Sequence, residues 1–239
     1  VHMAGDTMRI TSCGMTDVGM KRTNNEDNYL INDELNLFVC CDGMGGHVGG
    51  EFASAIAVNT VEEVLTSLEY RPEEHGLDAD DGPVEITREK LRYAVRLAGR
   101  RIFEKATEEP EYKGMGTTCL ALLIENGNAY LAHVGDSRGY VVRDGVIEQL
   151  TEDHSLVNEK IKAGLITPEE AKTHKLKNII PDSSVSRSLR IITIRFQSKH
   201  HSATISSACP WFLISLYKLS NNFMYLPAKT GRCPGLVKA

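Results

Sequence analysis

Four carboxylates, Glu26, Asp27, Asp42 and Asp136, sit at strand ends or turns beside apolar, strand-like runs. Asp and Glu are rarely buried unless they are paired or bound to a cation. Hard divalent cations prefer such oxygens, together with backbone carbonyls and water. Arg22, just upstream of Glu26, adds a planar fork that suits a phosphate. Singly, each residue reads as an ordinary solvated turn position. Together they are the ingredients of metal-assisted phosphoryl chemistry.

Other chemistries fail on spacing. The glycine-rich stretch Gly43-Met44-Gly45-Gly46-His47-Val48-Gly49-Gly50 has valine where a dinucleotide fingerprint needs its last glycine. It also has Glu51 where a P-loop needs lysine. Gly135-Asp136-Ser137-Arg138-Gly139 matches the letters of a nucleophile elbow. That motif requires a strand, a sharp turn and then a helix, whereas Tyr140-Val141-Val142 is strand-like. Ser137 is therefore expected to be a turn residue. His47, His133 and His154 do not have zinc-site spacing, and no cysteine lies near them at ligand distance in the chain.

The elements that must position these residues follow from periodicity. Met8 to Cys13 and Asn28 to Ile31 read as short strands, and Leu37 to Cys41 as a buried strand ending at Asp42-Gly43. Val61, Val64, Leu65 and Leu68 predict a helix from about Glu51 to Leu68. Leu91, Ala94, Val95, Ala98 and Ile102 predict a second helix, with the acidic stretch Glu69 to Pro83 as the loop between them. Four strands follow, at Thr117 to Ile124, Ala129 to Val134, Gly139 to Val142 and Val146 to Leu150. Asn126-Gly127 and Asp144-Gly145 supply hairpin turns between them, so a meander is expected. Glu159 to Lys175 returns to helical spacing, with Pro168-Glu169-Glu170 as a helix start. Helices followed by a meander, without βαβ alternation, predict an α+β layered domain.

Composition narrows the class. The 239 residues are 41% hydrophobic and 25% charged, which excludes a disordered or collagen-like chain. A net charge of −5 and the absence of a basic stripe argue against nucleic-acid binding. The six cysteines form no CxxC pair, which predicts reduced thiols and a cytoplasmic protein. No signal peptide is visible, and the seven-residue apolar run Trp211 to Tyr217 is too short to span a bilayer. The charge is unevenly spread. Pro181 to Ala239 holds eight basic residues, ten serines and one acid, Asp182. Such a break marks a separate domain, a basic tail or a disrupted reading frame.

Four ordered blocks carry a family resemblance: Arg22-Thr23-Asn24-Asn25-Glu26-Asp27, Asp42-Gly43-Met44-Gly45-Gly46-His47, Gly114-Met115-Gly116-Thr117-Thr118 and Val134-Gly135-Asp136-Ser137-Arg138. In order and spacing they resemble the metal-dependent protein phosphatases, the type 2C serine/threonine phosphatases in their bacterial form. Leu150 to Leu156 and Gly164 to Ala171 resemble the segment that leads into that family's flap. The resemblance covers about residues 8–180, with the flap at about 155–180. It implies an α/β/β/α sandwich of two antiparallel sheets flanked by helices, with two Mg²⁺ or Mn²⁺ ions in the cleft between the sheets.

By position, the resemblance implies that Asp42 bridges the two metals, that Gly43 gives its carbonyl and that Glu26 holds one ion directly or through water. Asp27 orients metal-bound water, Asp136 belongs to a third, weaker site, and Arg22 binds the substrate phosphate. Some relatives place a histidine general acid directly after Asp-Gly. Met44 stands there in this chain, which leaves His47 as a weak candidate. The implied substrates are phosphorylated Ser/Thr proteins of a cognate kinase, in a signalling role.

The chain departs from this pattern after Ile180. The family's Ser-Asp-Gly-Leu-like segment and later Asp-Asn pair, which complete the metal site, are absent from 181–239. That segment is expected to derive from a frame shift, a rearranged gene or a sequencing error. It would leave the C-terminal part of the fold abnormal or incomplete and the activity impaired. The alternative function is an inactive phosphatase-like module that binds phosphoproteins.

Overall fold

The computed structural model describes residues 10–20, 22–45, 49–78, 80–143, 146–154, 164–165, 167, 170, 189–195, 213–217 and 223–226. Leu37–Met44 (β3) is a continuous apolar run that ends in Asp-Gly-Met, and all of it except Met44 is buried. It pairs antiparallel with Asp27–Asn32 (β2) on one side and with Cys119–Glu125 (β5) on the other. Asn128–Val134 (β6) follows β5 through the expected Asn126-Gly127 turn, with φ of 50° and 73°. Both central residues take positive φ, as a tight hairpin demands. Arg190–Arg195 (β9) pairs along β6 and completes a six-stranded sheet together with Gly116–Thr117 (β4), which pairs the end of β3.

A second, five-stranded sheet runs in the order Cys13–Met15 (β1), Phe223–Leu226 (β11), Leu213–Tyr217 (β10), Arg138–Arg143 (β7) and Val146–Gln149 (β8). The predicted meander is therefore split. β5–β6 lies in one sheet and β7–β8 in the other, and the chain crosses between them at Gly135-Asp136-Ser137. A further difference is the first strand, which starts at Cys13 where Met8 to Cys13 was expected. Its register against β11 sets that start.

Alternation along β3, β5 and β6 divides the core in two. Leu37, Val39, Cys41, Cys119, Ala121, Leu123, Tyr130 and Ala132 face the helices. Phe38, Leu120, Leu122, Ile124, Ala129 and Leu131 face the other way, against Ile10, Leu150, Ile192 and Ile194. The helix layer is Gly49–Thr66 (α1) and Pro83–Glu108 (α2), the latter with proline in its first turn. The buried positions of α2 are Leu91, Ala94, Val95, Ala98 and Ile102, the set that its spacing predicts. Helix α1 begins inside the glycine run and stops at Thr66, so Leu68 lies outside it and is fully exposed. This α+β architecture, two antiparallel sheets with helices outside, is the one the family resemblance implies, and the described helices α1 and α2 cover the six-stranded sheet.

Within 181–239, β9 and β10 take places in the two sheets beside β6 and β7. The flap segment at 155–180 lies outside the described residues except at a few positions. There, Thr167 and Glu170 exchange hydrogen bonds, Glu170 N–H to Thr167 Oγ1 at 3.3 Å and Thr167 N–H to Glu170 Oε2 at 2.8 Å. This is the reciprocal pattern of a helix start.

Candidate active site

The ends of β2 and β3 bring two of the predicted carboxylates face to face. Asp27 and Asp42 are register partners. The neighbouring pair carries the hydrogen bond, from Gly43 N–H to the Glu26 carbonyl at 3.1 Å. Asp27 and Asp42 thus occupy a non-hydrogen-bonded position, where opposed side chains approach closest, with Cα atoms about 4.5 Å apart. Both share the face of Ile31 and Phe38, the face turned toward the second sheet. Asp42 is 6% exposed, and Oδ1 of Asp27 is buried.

The backbone of Asp42 points to the other neighbour. Its N–H donates to Thr118 Oγ1 at 3.0 Å, and Thr118 N–H donates to the Asp42 carbonyl at 2.9 Å. Thr118 Oγ1 also lies 2.7 Å from Ser137 Oγ. One hydroxyl therefore ties the Asp42 strand to the turn that carries Asp136, whose Oδ1 is buried. Within that turn Gly135 has φ of +104°, and a side chain there would meet Thr118 Cγ2 at 2.6 Å. Only glycine allows both the backbone and the contact.

Glu26 faces the start of α1. Its carbonyl accepts the Ser54 hydroxyl at 2.6 Å, and its carboxylate lies against Gly50. Arg22 stands exposed in the segment before β2. His47 lies outside the described residues. Sequence reasoning did not single out Thr118, Ser54 or Gly50. The Gly-Thr-Thr block is part of the resemblance, yet a threonine has no signal that says its hydroxyl will accept from a strand 76 residues earlier.

Two carboxylates opposed across a strand pair, Asp42 buried and Asp27 half-buried, repel each other. A divalent cation between them converts that repulsion into a ligand set, and Mg²⁺ is commonly held by one or two carboxylates with waters completing the shell. Asp42, the Gly43 carbonyl and Glu26 beside it fit such an ion, with Asp27 facing Asp42 to orient its water. Among the described residues, no group of three or more His, Cys, Asp or Glu side chains is placed to hold a metal. The donor set is therefore partial.

Below the Asp136 turn lies a histidine pair. The His133 and His154 rings are 4.6 Å apart. His154 Nδ1 accepts from Gly135 N–H at 3.2 Å, while His154 N–H donates to the Gly135 carbonyl at 2.8 Å. Burial, with the neighbouring His154, holds the His133 imidazole down at about 4. An unfolded histidine titrates near 6.5, so between the two values the unfolded chain binds a proton that the folded chain refuses. Stability is expected to fall as pH drops from 6.5 toward 4, with His133 contributing up to about 3 kcal/mol of the loss. Urea unfolding at several pH values checks this. A His133→Gln chain should show a shallower slope, and an unchanged slope would refute the assignment.

The whole is a two-sheet α+β sandwich whose central strands end in opposed carboxylates joined through threonine to a third acidic turn. The chain belongs to the protein phosphatase 2C family, whose sequence profile matches residues 20–187. It is 40% identical over 172 residues to the protein phosphatase PhpP of Streptococcus pneumoniae, covering 71% of this chain and 65% of that one. It is 38% identical over 178 residues to the serine/threonine protein phosphatase PstP of Mycobacterium tuberculosis, covering 74% of this chain and 32% of PstP. The chain thus matches less than two thirds of the length of these relatives. Among solved structures, serine/threonine phosphatase Stp1 from Staphylococcus aureus superposes with a TM-score of 0.65 at 28% identity, covering 97% of this chain and 99% of Stp1.

Proposed function

We propose that this chain is a metal-dependent protein serine/threonine phosphatase, acting on phosphorylated Ser/Thr proteins of a cognate kinase. The observation that carries the reading is buried Asp42 with Asp27 opposite it at the mouth of the sheets, in a chain of the protein phosphatase 2C family. Asp42, the Gly43 carbonyl and Glu26 would hold Mg²⁺ or Mn²⁺, with Asp27 opposite Asp42 orienting metal-bound water and Asp136 at a further, weaker site. When bound, the ions supply a water acidic enough to be hydroxide near neutral pH and charge to balance the phosphoryl oxygens. Arg22 binds and orients the substrate phosphate through its fork of N–H donors. Thr118 fixes the Asp42 main chain and, through Ser137, the Asp136 turn. His47 remains the candidate proton donor to the leaving Ser or Thr oxygen.

The four described cysteines are free thiols, and among the described residues no helix is long and apolar enough to cross a membrane. The free thiols support a cytoplasmic setting. The family match runs to residue 187, just past the phosphatase-like domain read over 8–180, and strands β9, β10 and β11 of 181–239 pair within the same two sheets, which supports counting them with that domain.

The test is hydrolysis of p-nitrophenyl phosphate and of a phosphothreonine peptide by the full chain with Mn²⁺, with and without chelator. Turnover that chelator abolishes is the expected result. One observation favours a second reading, a module that binds phosphoproteins without turnover: no three-donor cluster exists among the described residues. Saturable peptide binding with no hydrolysis would select that reading.

A further inference from the structure

Two cysteines outside the carboxylate cluster face each other on the helix side of the six-stranded sheet. Cys41 of β3 and Cys119 of β5 continue by one step the register that runs from Leu37↔Leu123 to Cys40↔Leu120. The next step along, Asp42 with Thr118, carries a ladder hydrogen bond. Cys41 and Cys119 therefore sit at a non-hydrogen-bonded position, where Cα atoms lie about 4.5 Å apart. That separation falls inside the range a disulfide spans, about 4.4 to 6.8 Å. Both side chains belong to one core cluster, where the Cys119 thiol and burial push the Cys41 thiol up. Cys40 projects from the opposite face of β3, and Cys13 lies on the other sheet. Cys119 is 5% exposed and Cys41 0%, so an oxidant meets Cys119 first.

We propose that Cys41 and Cys119 are a reversible oxidation site, closed to a disulfide by hydrogen peroxide, which fastens β3 to β5 directly behind Asp42. The Cys119 sulfur, deprotonated, attacks one peroxide oxygen. The O–O bond breaks, leaving a sulfenic acid on Cys119 and a hydroxide that is protonated to water. The Cys41 sulfur, giving up its proton, then attacks the Cys119 sulfur, and the S–O bond breaks to release a second water. Two thiols and one peroxide become one disulfide and two waters, with two electrons passing from sulfur to oxygen. Because Asp42 is the next residue on β3 and is bonded to Thr118 through its main chain, the new bond clamps the strand end that presents its carboxylate. The chain between the two cysteines, which includes both helices, becomes a closed loop. Closing a long loop restricts the unfolded chain.

This inference stands on the sheet register and does not depend on the proposed activity. The full chain is treated with hydrogen peroxide, digested without reductant and mapped by mass spectrometry. The expected result is a Cys41–Cys119 linked peptide, no covalent dimer and a thermal midpoint raised by several degrees, all reversed by dithiothreitol. Cys13→Ser with Cys40→Ser should keep the link, whereas Cys41→Ser or Cys119→Ser should lose it. A link from Cys119 to another cysteine, or sulfinic acid at Cys119 with no link, would overturn the proposal. Should the Cys119 variant not fold, the peptide map of the unmodified chain decides alone.

Discussion

Asparagine in place of Asp42 is expected to remove metal-dependent turnover while the fold survives. The main chain of Asp42 is held by Thr118 on both its N–H and its carbonyl, and neither bond uses the side chain. The carboxylate instead faces Asp27 across a non-hydrogen-bonded pair. Asn keeps the shape and removes one of two like charges, so repulsion between them falls. The chelated Asp42→Asn protein should therefore melt no lower than the parent. Added Mn²⁺ should raise the melting temperature of the parent, because a ligand that binds only the folded state stabilises it. In the variant that rise should vanish. Turnover should fall on the order of 10³-fold, the scale of a single strong electrostatic contributor to a transition state. Thermal scans with and without Mn²⁺, beside phosphatase assays, separate these effects. An Asp42→Asn chain that keeps its Mn²⁺ response would remove Asp42 from the metal site.

Much of what places this carboxylate is legible in residue order, because burial and turns leave local signals. The run Leu37 to Cys41 with Asp-Gly after it predicts a buried strand, and β3 is one. The five buried positions of α2 follow from helical spacing alone. Other features have no local signal. Crossing from β6 to β7 between the sheets looks, in sequence, like another hairpin, since both give strand, short turn and strand. What decides is Gly135, whose φ of +104° and contact with Thr118 turn the chain away. Leu68 fits the α1 spacing but falls beyond the helix end, because the chain leaves the helix after Thr66. The start of α1 within Gly49-Gly50 contradicts helix propensity, and a tertiary contact with Glu26 and Gly43 overrides it.

The site shows the same division. The sequence names Glu26, Asp27, Asp42 and Asp136 from residue type and family spacing. It does not say that Asp27 stands directly opposite Asp42, because register is a property of two strands together. Nor does it show that Thr118 joins Asp42 to the Asp136 turn. The partners of β9, β10 and β11 are likewise invisible in a segment with little charge alternation and no family motif.

The closest backbone approach in the site, between Gly43 and Gly50, leads to an expected ordering of two alanine variants. A Cβ on Gly43 would lie 2.0 Å from the Gly50 carbonyl oxygen, 2.3 Å from its carbon and 2.5 Å from the Glu26 carbonyl oxygen. All three atoms are main chain, so none can rotate away. The Glu26 oxygen also accepts Gly43 N–H and the Ser54 hydroxyl, and moving it breaks both. Gly43→Ala is expected to cost about 4 kcal/mol, the range reached by severe overpacking. At Gly50 the added Cβ would meet Glu26 Oε2 at 2.4 Å and Cδ at 2.8 Å, with the Gly43 carbonyl carbon at 2.9 Å. The two nearest atoms end a flexible side chain, and alanine gains about 1 kcal/mol over glycine within a helix. Gly50→Ala should therefore lose no more than about 2 kcal/mol. Its principal effect should be a displaced Glu26 carboxylate and weaker Mn²⁺ binding. Urea unfolding of both variants in chelator gives the stabilities, and Mn²⁺ titration of Gly50→Ala gives the affinity. Equal stability losses would show that the Gly43–Gly50 contact is looser than described. A Gly50→Ala chain with unchanged Mn²⁺ affinity would place Glu26 outside the metal's reach.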